Sequence, residues 1–440
     1  MAFMAEEMRV RMTQEERKER RKQDTKKAVV TLVSLICIVI IVVAGGIVLF
    51  QHFMPEQVAD KPKDTETTET SETENTELPV VPVVPEVDPQ TEQAQAFVAG
   101  MTLEQKVAQM FIITPDALTG VSGATRAGDA TKSAYAEHPV GGLIYMSGNL
   151  KDTAQTQEML ANMMAYSQEI TGLPLFLGVD EEGGSVSRIA SNMEFGIADV
   201  GDMSEIGATG DPENARAVGN TLGGYLSELG FNMDFAPVAD VITNPENQVV
   251  QYRSFGSDSE LVSCMVVAEL QGLQEQNVYG VVKHFPGHGG TAGDSHDGAA
   301  VTERTLDEMM ASELVPFYGA INAGADFIMV GHISTPNITG NDIPSSLSEY
   351  MITELLRGQM GYQGIVVTDA MNMGAITGSY TSAEAAVAAV QAGVDIILMP
   401  EDYTAAYNGI LEAVNNGTIT EERINESVVR IVKVKQEMMQ

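Results

Sequence analysis

The chain has 440 residues, 44% of them hydrophobic, and this length is typical of one large barrel with extensions or of two to three smaller domains. The formal net charge is −36 and is unevenly distributed: residues 1–27 contain nine Lys and Arg against six Asp and Glu, and the rest contains 16 basic against 55 acidic residues. Because so acidic a surface repels nucleic acid phosphates and no basic stripe relieves it, the composition excludes a nucleic-acid-binding protein.

The first predicted element is a transmembrane helix over residues 28–50. These 23 residues carry no charge, and as a helix they reach about 35 Å, enough to cross a hydrocarbon core of about 30 Å. A cleaved signal peptide is the alternative, although its apolar region is shorter. Basic residues between Arg17 and Lys27 precede the span, whereas Glu56 and Asp60 follow it. The positive-inside rule therefore predicts a single-pass anchor in the cell membrane, with a cytoplasmic N-terminus and an extracellular remainder.

Residues 51–90 are rich in Thr, Glu and Pro and are predicted to form a disordered linker. They lack the apolar periodicity that a core requires, and their like charges repel one another. After them, "TLEQKVAQMFII" has the pattern of an amphipathic helix that leads into a strand. The predicted organisation is a basic cytoplasmic tail over residues 1–27, the anchor, the linker, and one folded domain over residues 91–440.

In the folded domain, eight short apolar runs alternate with amphipathic stretches. This alternation is typical of a parallel sheet that is covered on both faces. Eight units predict an α/β fold of the (β/α)8 TIM-barrel type. An open doubly wound sheet is the alternative, but no GxGxxG follows any run, so a dinucleotide site has no support. The runs are "MFIIT", "GGLIYM", "PLFLGVD", "FNMDFAPVAD", "YGVVKHF", "DFIMVGH", "GIVVTDA" and "DIILMP".

The two cysteines, Cys37 and Cys264, are predicted to lie in different environments. One falls in the membrane segment and the other in the folded domain, so a disulfide between them is excluded. Cys264 lies in a helical stretch without a basic neighbour and is expected to be part of the core.

Polar residues stand at the C-terminal ends of five of the runs. In a barrel these ends form one rim, where catalytic residues are found. Each such residue alone is explained as a helix cap, but five strands that converge on one rim with carboxylates, a lysine and imidazoles predict a single site. The residues are Asp180, Asp240, Lys283, His284, His332 and Asp369.

The segment "KHFPGHGGTAGDSHDGAA", residues 283–300, contains three of the six histidines of the chain. A metal site is one interpretation, since His284, His288, Asp294 and His296 offer nitrogen and oxygen ligands. However, the glycine-rich spacing does not preorganise such ligands, and a catalytic loop is the favoured alternative. No metal and no other cofactor is expected.

This loop resembles the signature loop of glycoside hydrolase family 3, in its β-N-acetylglucosaminidase branch. "GIVVTDAMNMGAI" resembles the nucleophile strand of that family. Three further segments resemble family motifs in the family's order, and together the matches cover nearly all of the folded domain. These segments are "VDEEGGSVSRI", "NPENQVVQYRSFG" and "IPSSLSEYMITELLRGQMGYQG".

The resemblance implies a retaining exo-β-N-acetylglucosaminidase that releases terminal N-acetylglucosamine from glycan or cell-wall fragments. Asp369 matches the nucleophile, which forms a covalent glycosyl intermediate. His296 matches the acid/base, and Asp294 matches the aspartate that orients it and raises its pKa. His288 is expected to shape the loop instead. The positions that match sugar-binding residues are Asp180, Arg253, Lys283 and His284.

Two positions depart from the family pattern. The loop commonly reads "GHGDT", but Gly290 stands here in place of the aspartate, and Gln251 replaces a glycine. Glu182 is expected to support the "EGG" turn, and a buried ion pair is the alternative for Arg253. A β-glucosidase-like enzyme, a phosphorolytic enzyme and an inactive membrane-tethered carbohydrate sensor are the alternative functions.

Overall fold

The computed structural model describes residues 88–440 except Ala292, Asp294, His296, Asp297 and Ala299. The predicted tail, the anchor over residues 28–50, nearly all of the linker, and both members of the predicted Asp294–His296 dyad therefore lie outside the described residues. Among the helices of the described part, none is long and apolar enough to span a membrane.

Ten strands are found in the described part of the chain. They are β1 (Phe111–Ile113), β2 (Gly142–Ile144), β3 (Phe176–Val179), β4 (Met233–Asp234), β5 (Tyr279–Phe285), β6 (Ala300–Val301), β7 (Phe327–Val330), β8 (Ile333–Ser334), β9 (Ile365–Thr368) and β10 (Ile397–Leu398).

Eight of these strands form one parallel sheet in the order β10-β1-β2-β3-β4-β5-β7-β9, and β6 pairs separately with β8. The sheet closes because Val367 of β9 pairs in parallel with Ile396, next to β10. Thr368 N also donates to Ile396 O at 3.0 Å. The prediction of an α/β barrel-like sheet of eight parallel strands is confirmed, and the open doubly wound alternative is wrong.

Helices connect the strands on the outside of the sheet. They are α1 (Pro89–Ala99), α2 (Leu103–Gln109), α3 (Pro115–Thr119), α4 (Asp129–Glu137), α5 (Thr153–Thr171), α6 (Met203–Ala208), α7 (Pro212–Leu229), α8 (Ser259–Glu275), α9 (Leu306–Met310), α10 (Val315–Asn322), α11 (Pro336–Thr339), a π-helix (Tyr350–Gln359), α12 (Gly374–Thr377), α13 (Ser382–Ala392), α14 (Tyr403–Asn415) and α15 (Glu421–Glu437). Single 3-10 turns cover Ser147–Asn149, Met193–Phe195 and Ser345–Leu347.

Helix α1 begins at Pro89, two residues before the predicted start of the folded domain. Asp88 caps it, because its Oδ1 accepts the Thr91 N–H at 3.0 Å. Proline suits the first helical position, since its missing N–H has no intrahelical partner there.

Aromatic side chains fill the middle of the barrel. Phe176 on β3 and Phe327 on β7 meet edge to face with ring centroids 5.4 Å apart. Because β3 and β7 are not neighbours in the sheet, the two rings meet across the interior of the barrel. Lys435 of α15 lies over the Phe176 ring at 4.9 Å and donates from Nζ to Gln109 Oε1 at 2.7 Å. Burial lowers the pKa of Lys435 to about 7.

A buried ion cluster joins α15 to the sheet beside β10. Asp395 is fully buried, and its carboxylate lies 2.5 Å from Arg357 Nη2 and 3.0 Å from Arg430 Nη1. Its Oδ2 also accepts the Val366 N–H at 2.9 Å. Burial alone would raise the pKa of Asp395, but the guanidinium groups of Arg357, Arg430 and Arg423 hold it below its ordinary value.

Helices α7 and α8 pack closely because glycines stand at the contact. A Cβ at Gly219 would lie 2.2 Å from Glu269 O, and a Cβ at Gly272 would lie 2.4 Å from Arg216 O. The prediction that Cys264 is a core residue is wrong, because the thiol is exposed. Helix α8 buries Val262, Met265 and Val266, and position 264 falls off that apolar stripe.

Candidate active site

A cavity of about 320 Å³ lies at the C-terminal ends of the barrel strands. The residues just after β3 and β9 and the end of β5 contribute its polar wall. The structure brings five of the seven predicted site residues together around it; the other two, Asp294 and His296, lie outside the described residues. The five are Asp180, Arg253, Lys283, His284 and Asp369.

Asp369 directly follows β9 and is partly exposed to the cavity. Its backbone N–H donates to Val330 O of β7 at 2.9 Å, and its Oδ1 accepts the Ala370 N–H at 2.8 Å. Burial alone would raise the pKa of Asp369, but the nearby side chains of His332, His284 and Lys283, together with the Ala370 N–H, hold it below its ordinary value. The group is therefore a carboxylate at neutral pH.

His332, at the end of the sixth predicted run, lies beside Asp369. Its Nε2 lies 3.0 Å from Ala370 O, and because a carbonyl only accepts, Nε2 carries the proton. Its Nδ1 lies 2.7 Å from the Ser346 hydroxyl. The imidazole is therefore fixed by two contacts next to the backbone of the predicted nucleophile.

Lys283 lies between two carboxylates. Its Nζ is 2.8 Å from Asp180 Oδ1 and 2.6 Å from Glu182 Oε1. Burial would lower the pKa of Lys283, but Asp180 and Glu182 raise it above its ordinary value. The ammonium group therefore stays charged and can donate hydrogen bonds into the cavity.

Arg253 and Glu182 form a bidentate ion pair. Arg253 Nε and Nη2 each lie 2.7 Å from a Glu182 oxygen, a geometry that fixes the guanidinium plane. Burial would raise the pKa of Glu182, but Arg253 and Lys283 hold it well below its ordinary value. The ion-pair interpretation of Arg253 therefore holds, and the same side chain lines the cavity.

The side chain that supports the turn after β3 is Glu181, and the expectation for Glu182 is wrong in this respect. The Glu181 carboxylate accepts the backbone N–H groups of Arg188, Ile189 and Ala190 at 2.6 to 2.9 Å. Tyr225 of α7 also donates to it at 2.8 Å. The carboxylate of Glu182 instead lies in the cavity wall.

Asp240 fixes the orientation of His284. Its Oδ2 lies 2.7 Å from His284 Nδ1, so Nδ1 donates and Nε2 is left to accept from Arg253 Nη2 at 3.3 Å. Burial would raise the pKa of Asp240, but His284, His288 and the hydrogen bonds from them hold it below its ordinary value. Its position at the end of the fourth predicted run was the only sequence signal for this role.

His288 holds the shape of the loop, as expected. Its backbone N–H donates to Asp240 Oδ1 at 2.6 Å, and its ring nitrogens lie 2.9 Å from Thr291 Oγ1 and 3.1 Å from Ser295 Oγ. Ser295 is buried and lines the cavity, and its carbonyl accepts the Ala375 N–H at 3.2 Å. The residue between the two dyad positions thus lies at the cavity wall.

The described residues do not form a metal-binding site. No cluster of three or more His, Cys, Asp or Glu side chains there could hold an ion. The ring nitrogens of His284 and His288 are engaged by Asp240, Arg253, Thr291 and Ser295. Neither imidazole therefore offers a lone pair to a metal.

Comparison with known proteins gives the family. The model of the glycosyl hydrolase family 3 N-terminal domain matches residues 102–434. The chain belongs to glycosyl hydrolase family 3. The matched part of this family 3 chain contains the whole barrel and every predicted site residue.

Two curated relatives are similar over most of this chain. β-Hexosaminidase A of Pseudoalteromonas piscicida is 34% identical over 330 residues, which are 69% of this chain and 54% of that protein. β-Hexosaminidase LpqI of Mycobacterium tuberculosis is 34% identical over 339 residues, which are 75% of this chain and 82% of the relative. The chain thus spans about half the length of the first relative and most of the second.

A solved family 3 structure has the same fold. The β-N-acetylglucosaminidase of a Paenibacillus species is 38% identical, with a TM-score of 0.72. The match covers 77% of this chain and 63% of that protein.

Proposed function

We propose that this family 3 protein is a retaining exo-β-N-acetylglucosaminidase that removes terminal N-acetylglucosamine from glycan or cell-wall fragments. The observation that carries the proposal is a single cavity in which the ionised Asp369 faces the Lys283, Arg253 and His284 cluster. Relatives named β-hexosaminidase and a solved β-N-acetylglucosaminidase, all of the same family, support the choice of sugar.

In the first step, Asp369 attacks the anomeric carbon and the bond to the leaving oxygen breaks. The leaving oxygen takes a proton from His296, so the aglycone departs as a neutral alcohol. Asp180, Lys283, His284 and Arg253 hold the hydroxyl groups of the sugar, and their ion pairs keep the donors in fixed positions. This preorganisation means that little reorientation is needed in the transition state.

In the second step, water attacks the anomeric carbon of the glycosyl-Asp369 intermediate. His296 takes the proton of that water, and the Asp369 carboxylate is regenerated. Asp294 favours one tautomer of the neutral His296 between the two steps and stabilises the imidazolium that is present before the first step and after the second. Two displacements at the same carbon retain the β configuration of the product.

The proposal extends to the location of the enzyme. Residues 28–50 anchor the chain in the cell membrane, and the acidic linker over residues 51–90 carries the catalytic domain outside. The uncharged 23-residue run and the basic residues before it support this arrangement. Alkaline extraction of membranes and protease protection of residues 1–27 in intact cells test it; release by alkali would contradict an anchor.

The catalytic proposal is tested on the full-length chain in detergent. Release of p-nitrophenol from the β-N-acetylglucosaminide and the β-glucoside is compared, with and without inorganic phosphate. We expect turnover of the N-acetylglucosaminide that phosphate does not accelerate. A preference for the glucoside would overturn the choice of sugar, and formation of a sugar phosphate would make the enzyme phosphorolytic.

Asp369→Asn and His296→Ala separate an enzyme from a binding protein. We expect each to lower kcat by about a hundredfold or more, since each removes a group that acts on the reacting bonds. Asp307→Asn is the matched control, because it makes the same chemical change on the exposed face of α9. Sugar binding without turnover in the wild-type chain would instead support the sensor.

A further inference from the structure

Asp234, the last residue of β4, is a buried acid that does not line the cavity. Its side chain is fully buried. Its Oδ1 accepts the Glu181 N–H at 3.0 Å, and its Oδ2 has no hydrogen-bond partner among the described residues. The proposed mechanism gives this carboxyl group no role.

The Asp234 side chain lies on the outer face of the sheet. Asp234 is paired in register with Gly280 of β5, and a Cβ at Gly280 would lie 2.7 Å from Leu270 Cδ1 of α8. Residues that are paired in register present their side chains on the same face, so Asp234 also faces the helices. Lys283, three residues after Gly280, lies on the opposite face and in the cavity wall.

The Asp234 carboxyl group continues the hydrogen bonding between β3 and β4 past the end of β3. A backbone hydrogen bond runs from Phe235 N to Val179 O at 2.9 Å. Two residues after Val179, the Glu181 N–H is bound by the Asp234 side chain instead of a main-chain carbonyl. A buried N–H without an acceptor is costly. The Asp234 carboxyl group therefore determines where the Glu181 peptide lies.

The Glu181 peptide lies between two side chains of the cavity wall. Asp180 and Glu182 flank it, and Lys283 Nζ lies 2.8 Å from the first carboxylate and 2.6 Å from the second. The turn is thus held from inside the barrel by Lys283 and from outside by Asp234. A shift of the Glu181 peptide would displace both carboxylates from the ammonium group.

We propose that Asp234 is a positioning residue that fixes Asp180 and Glu182 for sugar binding. It acts through the Glu181 peptide and does not touch the substrate. The inference rests on the proposed function, in which Asp180 and Lys283 hold the hydroxyl groups of the sugar. Because these contacts are made in the ground state as well as in the transition state, their loss raises KM more than it lowers kcat.

This role needs the acceptor oxygen of Asp234 but not a negative charge. Burial raises the pKa of Asp234 well above its ordinary value, and the carboxyl groups of Glu181 and Glu269 add to the shift, whereas the Glu181 N–H and Lys283 oppose it. The protonated acid is therefore favoured. An asparagine has the same shape and keeps the acceptor oxygen, whereas an alanine leaves the Glu181 N–H without an acceptor.

The test compares Asp234→Asn and Asp234→Ala with the wild type in the full-length chain. KM and kcat are measured with the p-nitrophenyl β-N-acetylglucosaminide, binding of N-acetylglucosamine by calorimetry, and unfolding by heat. Asp326→Ala is the matched control, because it removes a half-buried aspartate just before β7, at the opposite end of the barrel strands. Asp234→Ser, whose oxygen lies one bond closer to the main chain, replaces Asp234→Ala if that variant does not fold.

We expect Asp234→Ala to raise KM and to weaken binding of N-acetylglucosamine about tenfold, with a smaller change in kcat. Asp234→Asn should stay within about twofold of the wild type in both quantities, because it keeps the acceptor. Asp326→Ala should leave KM and sugar affinity unchanged. A variant that is only destabilised would instead lower kcat at an unchanged KM, because its folded fraction binds and reacts normally.

Wild-type KM and sugar affinity in Asp234→Ala would overturn the proposal. An Asp234→Asn variant as impaired as Asp234→Ala would also overturn it, since the acceptor oxygen would then not be the feature that matters. Calorimetry separates this inference from the proposed function. If the wild type binds N-acetylglucosamine but hydrolyses no glycoside, and Asp234→Ala alone loses affinity, the positioning role stands and the enzymatic proposal fails. A wild type that neither binds nor hydrolyses would refute both.

Discussion

Glu269 on α8 is a buried acid that forms no ion pair with any residue in the described part of the chain. The residue is 1% exposed, and neither carboxylate oxygen has a hydrogen-bond partner among the described residues. Burial, together with the nearby Glu182, raises the pKa of Glu269 to about 8, although Lys283 opposes the shift. The group is therefore protonated in the folded protein at neutral pH. In the unfolded chain it ionises at a pKa of about 4.3.

This difference makes stability depend on pH. Between the unfolded and the folded pKa, the native state holds a proton that the unfolded state has lost, so the free energy of unfolding falls as pH rises. The fall is about 1.4 kcal/mol per pH unit and reaches about 4 kcal/mol at pH 7. Below about pH 4 both states are protonated and the loss disappears.

Glu269→Gln replaces the protonated acid with an amide of similar shape that does not ionise. The amide adds an unpaired donor, which costs about 1–3 kcal/mol. We therefore expect the variant to be more stable than the wild type by about 1–3 kcal/mol at pH 7 and less stable by a similar amount near pH 4. The gain grows with pH and levels off once the folded pKa of about 8 is passed.

Urea unfolding of the two proteins across this pH range measures the difference. Glu260→Gln on the exposed first turn of the same helix is the control, and we expect its difference from the wild type to change little with pH. A Glu269→Gln difference that is the same at every pH would refute the reasoning, because it would mean that Glu269 is ionised in the folded protein as it is in the unfolded chain.

Three further outcomes are expected. Asp395→Asn should lower the free energy of unfolding by about 3–5 kcal/mol in urea, since it leaves buried guanidinium groups without their counter-charge; a loss under about 1 kcal/mol would contradict the cluster's role. Asp240→Asn should lower kcat/KM by about tenfold or more, because His284 loses the acceptor that fixes its tautomer, and unchanged kinetics would exclude that role. Lys435→Met should stabilise the protein by a few kcal/mol at pH 7, because the pKa of Lys435 falls to about 7 on folding. In the unfolded chain Lys435 keeps its proton up to a pKa of about 10.4, so protonation favours the unfolded state below that pH. The stability gain of the variant should therefore shrink as pH rises. A gain that grows with pH would refute this prediction.

Periodicity predicted the barrel, because its strands are buried on both faces and read as continuous apolar runs. It also located the rim, since polar residues end those runs. The prediction that Cys264 is buried was wrong because it considered only the residue type and not the helical period. Positions 262, 265 and 266 define the buried stripe of α8, and position 264 lies off it. That error was avoidable from the sequence alone.

Sequence reasoning could not have predicted that Glu313 lies against Gly290, where a Cβ would be 3.0 Å from Glu313 Oε1. Gly290 and Glu313 are 23 positions apart, and nothing in their local patterns links them. Their contact depends on how the loop after β5 and the turn before α10 fold onto the residues after β4.

The roles of the acidic residues after β3 follow from strand geometry. Side chains alternate between the two faces of a strand, and this alternation continues past Val179, where β3 ends. Asp180 and Glu182 point into the cavity, whereas Glu181 points outward and meets Tyr225 of α7. The alternation of side chains along the chain therefore assigns Glu181 to the turn and Glu182 to the site.

Ion pairs within the cavity are the reason why we expect Asp369, and not Asp180 or Glu182, to be the nucleophile. Asp180 and Glu182 form ion pairs with Lys283 at 2.8 and 2.6 Å, and Glu182 also holds Arg253. Those contacts withdraw the negative charge that an attacking oxygen needs. Within the described residues, Asp369 forms no such ion pair with Lys283 or Arg253, and its Oδ1 accepts only the Ala370 N–H. Its pKa is held below the ordinary value without an ion pair to Lys283 or Arg253, and under the proposed function its second oxygen is available to attack the anomeric carbon.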